Sequence, residues 1–220
     1  QSYVASDWFI ANGRRCGLPA EIDRPAGEPI DPNQGGVAGG SSNDCSCSRT
    51  NPLSIYDAAN GPVYRIPVVV HVIQNSSGTQ GFISENCVQS QIDVLNEDFN
   101  AIPGTPGAPG TEARIEFFLA TEDPNGNATN GITYSQNSTW FNDGGNYYNS
   151  LAWDTREYMN IYTNTAGGFL GYVAGFPADG TAGQPEDRVV VLWEAYGRDG
   201  AYGPPFDQGR TLTHEVGHYL

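Results

Sequence analysis

The chain has 220 residues, a length that suffices for one large domain with a full core or for one domain preceded by an extension. Its 25 acidic residues outnumber its 10 basic residues, all of which are arginine, and the net charge is −15. This charge argues against nucleic acids and anionic membranes as partners, and no apolar run is long enough to span a bilayer.

Residues 1–62 are interpreted as an N-terminal extension of the kind that serves as a pro-segment. From residue 17 onward this segment is crowded with proline, glycine, serine and asparagine and has no apolar periodicity. The chain opens at Gln1 without an initiator methionine, which is typical of a processed protein. We therefore expect a secreted, extracellular protein.

The cysteines support an oxidising compartment, in which we expect disulfide bonds. Cys45 and Cys47 are too close in sequence for a common zinc-knuckle spacing, so we interpret them as two separate bridge ends. Four thiols allow three pairings, and the sequence does not choose among them. The four are Cys16, Cys45, Cys47 and Cys87.

Residues 63–220 are predicted to form one α/β domain. The segment "YRIPVVVHVIQ", from Tyr64, is a β-branched run typical of a strand buried on both faces. Ser84 is a suitable N-cap for a following helix whose apolar residues recur on one face. Four further strands are predicted at residues 114–120 and in "YMNIYT", "GGFLGYVAGF" and "DRVVVLW", before a terminal helix. This order indicates one twisted sheet with helices packed on it.

Several other residues of this domain receive structural interpretations. His71, among valines, is predicted to be a hydrogen-bonded core histidine, whereas Glu97 and Asp98 are predicted to be solvated. The cluster from Asp123 to Asn127 lacks the spaced carboxylates of a calcium loop and is predicted to be a hairpin turn. A group of aromatic residues either lines a binding face or covers the sheet, and both alternatives stay open. This group is Trp140, Phe141, Tyr147, Tyr148 and Trp153.

The terminal segment "RTLTHEVGHYL" carries the strongest chemical signal. On a helix, His214 and His218 project from one face, one turn apart, and can bind one zinc ion. Glu215 lies beside the first histidine, where its carboxylate can act as general base on a metal-activated water without being a ligand. The motif is short and also occurs by chance on surface helices, but it contains two of the chain's 3 histidines.

This segment resembles the active-site helix of the pappalysin family of metzincin zinc endopeptidases. The resemblance extends through "IPVVVHVI", "QIDVLNEDFN", "EDPNGNATNGIT", "NIYTNTAGGFLGYVAGFP" and "RVVVLWEAYG", in the order expected of that family's N-terminal catalytic subdomain. It implies an α/β fold with a twisted, mixed five-stranded sheet, an antiparallel edge strand, a backing helix and an active-site helix. It also implies Zn²⁺ as cofactor and allows calcium, for which the sequence shows no site.

The chain departs from the family pattern after its second histidine. In the family, zinc is held by His-Glu-x-x-His-x-x-Gly-x-x-His above a methionine turn. Here the sequence stops at Leu220, before the third histidine, and the only methionine, Met159, lies upstream. Residues 63–220 would then be the upper half of a catalytic domain that lacks its C-terminal subdomain. Either a continuation on the same or a separate chain completes the site, or the chain is a truncated and inactive product.

The segment "GRRCGLPA" resembles the cysteine switch of metzincin proforms. In a latent zymogen the Cys16 thiolate would occupy the zinc position that the water needs, and Arg15 would favour the anion. The alternative is that Cys16 is a disulfide end, which cysteine parity slightly favours. Both interpretations stay open.

The metzincin pattern also places the fourth strand at the sheet edge above the active-site cleft. An unpaired edge can bind an extended peptide through main-chain hydrogen bonds, and glycines permit a close approach of the backbone. The resemblance assigns this role to Gly168, Phe169, Leu170, Gly171 and Tyr172.

The sequence therefore predicts a secreted zinc endopeptidase that hydrolyses peptide bonds in extended protein or peptide substrates, held latent if Cys16 acts as a switch. The rival interpretation is a non-catalytic extracellular binding or assembly protein that retains the protease fold. This alternative interpretation is supported by the incomplete motif, the long N-terminal segment and the acidic, lysine-free composition.

Overall fold

The computed structural model describes residues 61–175, 180–198 and 200–220. The longest elements are the strand β1 (Tyr64–Gln74) and the helix α1 (Glu85–Phe99) that follows it. The strands after α1 are β2 (Ile115–Leu119), β3 (Ile132–Gln136), β4 (Met159–Asn164), β5 (Gly171–Val173) and β6 (Val189–Leu192). The remaining α-helices are α2 (Ser138–Phe141), α3 (Tyr148–Leu151) and α4 (Arg210–Tyr219). Two 3-10 turns span Ala166–Gly168 and Trp193–Ala195.

The six strands form one sheet in the order β2–β1–β4–β6–β5, with β3 also paired to β1. All pairs are parallel except β5 with β6, so β5 is the antiparallel edge strand that the resemblance implied. β2 pairs with the first half of β1 and β3 with its second half, so these two short strands share the opposite edge.

The α/β class and the mixed sheet are confirmed, but the strand count of five was too low. The missed strand is β3, "ITYSQ", which is only five residues long and has one buried position, Ile132. The predicted turn before it is present. Asp123 accepts hydrogen bonds from the backbone amides of Asn125 (2.8 Å) and Asn127 (2.9 Å), and Glu122 and Ala128 form an antiparallel bridge.

The first face of the sheet packs against α1 and α4 through aliphatic side chains. Alternate residues of the central strands point to this face and are fully buried, because a strand presents every second side chain to the same side. Helix α1 begins at the predicted N-cap, where Ser84 Oγ accepts a hydrogen bond from the amide of Cys87 at 3.3 Å. Its buried stripe includes Val88, Ile92 and Leu95.

The second face of the sheet is covered by the aromatic segment, which resolves the alternative left open by the sequence. Phe141 and Tyr147 are buried in a cluster with Tyr162 and Val190 of the sheet, and Trp140 and Tyr148 pack around them. These rings therefore cover the sheet. The described part of the chain holds no helix of the length and apolarity that a bilayer crossing requires.

His71 lies under this second face, as a hydrogen-bonded core residue. Its Nδ1 is 2.8 Å from Thr133 Oγ1, its Nε2 is 3.0 Å from Asn160 Oδ1, and its ring stacks on Tyr162. Burial lowers the pKa of His71 from 6.5 to about 4, so the imidazole is neutral near pH 7. The structural interpretation of His71 is confirmed.

Candidate active site

The two motif histidines lie on one face of α4, as their spacing predicts. Their Nε2 atoms are 3.1 Å apart and their rings are nearly perpendicular, with centroids separated by 4.6 Å. Two imidazole nitrogens that bind one zinc ion at about 2.0–2.1 Å in tetrahedral geometry stand about 3.3 Å apart. The donor atoms of His214 and His218 therefore fit a shared metal ion. Within residues 61–175, 180–198 and 200–220, no group of three His, Cys, Asp or Glu side chains could hold a metal.

Glu215 points away from solvent and packs against the edge strand. Its side chain is 1% exposed, and a Cβ atom added to Gly171 of β5 would lie 2.8 Å from Glu215 Cγ and 3.2 Å from its Oε1. Real Cβ atoms essentially never approach a neighbouring atom as closely as 2.8 Å, so any larger residue at this position would displace Glu215. The contact brings the candidate base and the candidate substrate strand together.

A pocket of about 240 Å³ opens beside this contact. Its apolar part combines the start of the edge strand with the loop before α4, and its polar part comes from the first turns of α4. The lining residues are Leu170, Pro205, Phe206, Arg210, Thr211, His214 and Glu215. The pocket has the dimensions of a site for one side chain.

The edge strand is shorter than the sequence analysis assigned. Gly168 belongs to the 3-10 turn, with φ 89°, and Phe169 follows it outside the strand. Leu170 accepts a hydrogen bond from the amide of Leu192 at 2.9 Å, and Gly171 and Tyr172 pair with β6. The predicted strand was therefore wrong for Gly168, Phe169 and Leu170, which precede β5, because positive φ at successive glycines turns the chain just before this strand. In the described part of the chain, no other strand pairs with the free side of β5.

The hydroxyl of Tyr172 is hydrogen-bonded to the carboxylate of Asp143, a contact that was not predicted from the sequence. The hydroxyl of Tyr172 donates to both oxygens of Asp143 at 3.0 Å, and the Tyr147 hydroxyl donates to Asp143 Oδ1 at 2.8 Å. The Arg188 guanidinium stacks over the Tyr148 ring at 4.1 Å. Burial raises the pKa of Tyr172. Asp143 lies in a glycine-rich loop with φ 59°, and nothing in its local sequence indicates this role.

The acidic end of α1 is not solvated, contrary to the prediction. Glu97 pairs with Arg198, and its side chain is 15% exposed. Asp98 pairs with Arg210 of α4 at 2.7 Å and also accepts a hydrogen bond from Thr213 Oγ1 at 2.8 Å. These partners lie more than 100 residues away in sequence, so only tertiary packing brings them together: the loop before α4 supplies Arg198, and α4 itself supplies Arg210.

A buried amide holds the start of α4 on the same face of α1. Gln91 Nε2 donates to the carbonyl of Gly209 at 2.9 Å, and its Oε1 accepts from the amide of Gly197 at 2.8 Å. Gly209 precedes the first residue of α4. Gln91 is fully buried, and its two hydrogen bonds satisfy both ends of its amide.

Three of the four cysteines lie outside the described residues. This includes Cys16, the candidate fourth ligand of a latent form, and the predicted bridge ends Cys45 and Cys47. Cys87 lies in the first turn of α1, half-buried, and its Sγ donates to the carbonyl of Tyr196 at 3.4 Å.

The chain is similar in sequence to extracellular metalloproteases. It is 31% identical over 157 residues to extracellular metalloprotease 1 of Coccidioides posadasii, an alignment that covers 68% of this chain and 48% of that protein. It is 29% identical over 168 residues to an extracellular metalloprotease of Pyricularia oryzae, covering 74% of this chain and 51% of that protein. No protein-family model matches the chain.

Solved structures of mirolysin have a fold similar to that of this chain. Mature mirolysin of Tannerella forsythia, in complex with a cleaved peptide, is 41% identical with a TM-score of 0.61 and aligns with 72% of this chain and 63% of that one. A mutant of Tannerella forsythia promirolysin is 39% identical with a TM-score of 0.58, over 72% of this chain and 55% of that one. The chain thus spans about half the length of the fungal metalloproteases that it matches.

Proposed function

We propose that the protein containing this chain is a secreted, zinc-dependent endopeptidase of the metzincin type, and more narrowly of the pappalysin type. The observation that carries the proposal is the Nε2 separation of 3.1 Å between His214 and His218, with Glu215 between them in sequence and packed against the edge strand. The extracellular metalloproteases and the peptide-bound mirolysin to which the chain is similar support the same activity.

The metal would be held by the Nε2 atoms of His214 and His218 and by a ligand outside the described residues. Zinc in such a site lowers the pKa of a water molecule and polarises the scissile carbonyl. Glu215 accepts the proton of the attacking water and delivers it to the leaving amine, because its carboxylate lies next to the first histidine without serving as a ligand.

The substrate would bind as an extended strand along the free side of β5. Its main chain would pair with amide and carbonyl groups of β5 that face away from β6, and one side chain would enter the pocket beside His214 and Glu215. This arrangement would bring an extended peptide over the candidate metal position, which supports action on peptide bonds.

The proposal is tested on the full-length natural protein by measuring zinc content and casein cleavage, before and after chelation. We expect zinc, cleavage that chelation abolishes, and recovery when zinc is restored. The variant His218→Ala should lose both the metal and the activity. A folded, full-length protein that neither holds zinc nor cleaves casein or gelatin would instead support the rival, a non-catalytic binding protein with this fold.

Latency through Cys16 is a further part of the proposal. A thiolate at the metal would exclude the water that Glu215 must deprotonate, so the protein would be inactive until the N-terminal segment is removed. The variant Cys16→Ala should release activity in the intact protein, whereas Cys45→Ala should not. Equal activity of the intact wild type and Cys16→Ala would reduce Cys16 to a structural thiol.

A further inference from the structure

Asp98 of α1 bonds to two residues of the candidate active-site helix, Arg210 and Thr213. Arg210 donates to its carboxylate from Nη2 at 2.7 Å and from Nε at 3.1 Å, which makes a bidentate, charge-assisted ion pair. Thr213 Oγ1 donates to the same carboxylate at 2.8 Å. The three contacts fix the first turn of α4, and Thr213 directly precedes His214.

Arg210 also belongs to the wall of the pocket. It is the only arginine or lysine among the pocket's lining residues and Glu215 is the only carboxylate, whereas Leu170, Pro205 and Phe206 are apolar. The side chain of Arg210 is 37% exposed, whereas that of Asp98 is 11% exposed and therefore sits behind the guanidinium. The negative charge of Asp98 therefore offsets the positive charge of Arg210 at the wall of the pocket.

We propose that Asp98 determines the charge preference of this pocket, by holding Arg210 and neutralising it so that the pocket receives neutral side chains rather than acidic ones. The inference rests on the proposed endopeptidase function, and it assigns to Asp98 a positioning role that acts through Arg210. The preference of the pocket is set by the difference between its affinities for a neutral and for an acidic side chain. One uncompensated positive charge in a partly desolvated pocket changes that difference strongly.

The test compares Asp98→Asn with the wild type in the full-length protein. Asparagine keeps the shape of the side chain and one of its two acceptor oxygens, but it removes the negative charge and the second acceptor. The substrates are matched peptides that carry Glu or Gln at each position flanking the cleaved bond. At the position that occupies the pocket, the ratio of kcat/KM for Glu over Gln should rise about tenfold in Asp98→Asn, and salt should reduce the rise.

Two matched controls lie on the same helix. Asp93→Asn makes the same change at an exposed residue that accepts a hydrogen bond from Gln89. Glu97→Gln breaks the neighbouring ion pair with Arg198 instead. Both should leave the Glu-to-Gln ratio at its wild-type value, even where Glu97→Gln lowers the Tm.

The double variant Asp98→Asn/Arg210→Gln removes the uncompensated cation and should return the ratio to the wild-type value. The ratio does not depend on how much of the protein is folded, so partial unfolding of a variant cannot imitate the effect. An unchanged ratio in Asp98→Asn at every position, with cleavage retained, would overturn the inference and leave Asp98 a purely structural anchor. Failure of the endopeptidase proposal would differ, because the wild type would then cleave none of the peptides.

Discussion

The two faces of the sheet use polar side chains in opposite ways. On the face under α1 and α4 the strands contribute aliphatic residues, and the polar groups gather at one side, where α4 meets α1 and β5. On the face under the aromatic segment, polar residues sit inside the core. His71 and Asn160 are both buried and bonded to each other at 3.0 Å.

The two faces differ in the state of their histidines, which are buried and neutral on the aromatic face but accessible to a metal ion on the helical face. On the aromatic face, His71 is bonded at both ring nitrogens and has its pKa lowered by burial, so it contributes to folding near neutral pH rather than to proton transfer. On the helical face, His214 is exposed, and the motif residues lie beside a pocket. Of the two histidine environments, only the second can offer nitrogen lone pairs to a metal.

The largest effect is expected on the helical face, from Glu215→Gln. The amide keeps the size of the side chain and its packing against Gly171 but cannot accept the proton of water. Cleavage should fall by roughly 10²–10⁴-fold, while zinc content and Tm stay close to wild type. Peptide-cleavage kinetics with elemental analysis measure both quantities. Undiminished cleavage would remove Glu215 from the mechanism.

The next effect is on the aromatic face and concerns stability at acid pH. In the folded protein the pKa of His71 is about 4, against 6.5 for an ordinary histidine. The unfolded chain therefore binds the proton more readily, and the stabilisation present above pH 6.5 is lost as the pH falls towards 4. This contribution amounts to about 3 kcal/mol.

The measurement is denaturant unfolding of the wild type and of His71→Gln, at pH 7 and at pH 4. Glutamine can still exchange hydrogen bonds with Thr133 and Asn160 but does not titrate. The loss of stability between the two pH values should be smaller in the variant than in the wild type by about 3 kcal/mol. Equal losses would show that another group controls the acid response.

A smaller effect is expected where the edge strand touches the candidate base. Gly171→Ala adds a Cβ atom 2.8 Å from Glu215 Cγ, so the carboxylate must shift. We expect kcat to fall roughly tenfold, since small displacements of a catalytic group are costly, with zinc content unchanged. Gly110→Ala is the matched control, because it adds a methyl group 3.1 Å from a carbonyl in an exposed loop between α1 and β2. A similar loss in both variants would exclude a specific effect on Glu215.

The sequence allowed prediction of the elements whose signal is local. β1, α1 and the geometry of the motif on α4 all follow from periodicity, a capping serine and a four-residue spacing. What it could not predict depends on tertiary packing. The partners of Glu97 and Asp98 lie 101 and 112 residues away.

Short or turning segments were the other source of error. β3 has five residues and a single buried position, so its sequence is hard to distinguish from that of a polar loop. The start of β5 depends on successive glycines that adopt positive φ, and glycine is equally compatible with an extended strand. Local patterns therefore located the motif, but not the contacts that hold it in place.

The smallest predicted effect concerns two tyrosines, one at each edge of the sheet. Tyr172→Phe on β5 removes the hydroxyl that donates to Asp143, whereas Tyr134→Phe on β3 removes a hydroxyl that donates to the carbonyl of Ile83 at 3.0 Å. Each loss should cost about 1 kcal/mol of stability. Only Tyr172→Phe should also raise KM, by a few-fold with little change in kcat, because β5 is the strand proposed to pair with the substrate. Peptide-cleavage kinetics and denaturant unfolding of both variants measure the two quantities. An equal change of KM in both variants would mean that the hydrogen bond between Tyr172 and Asp143 has no specific role in substrate binding and only stabilises the fold.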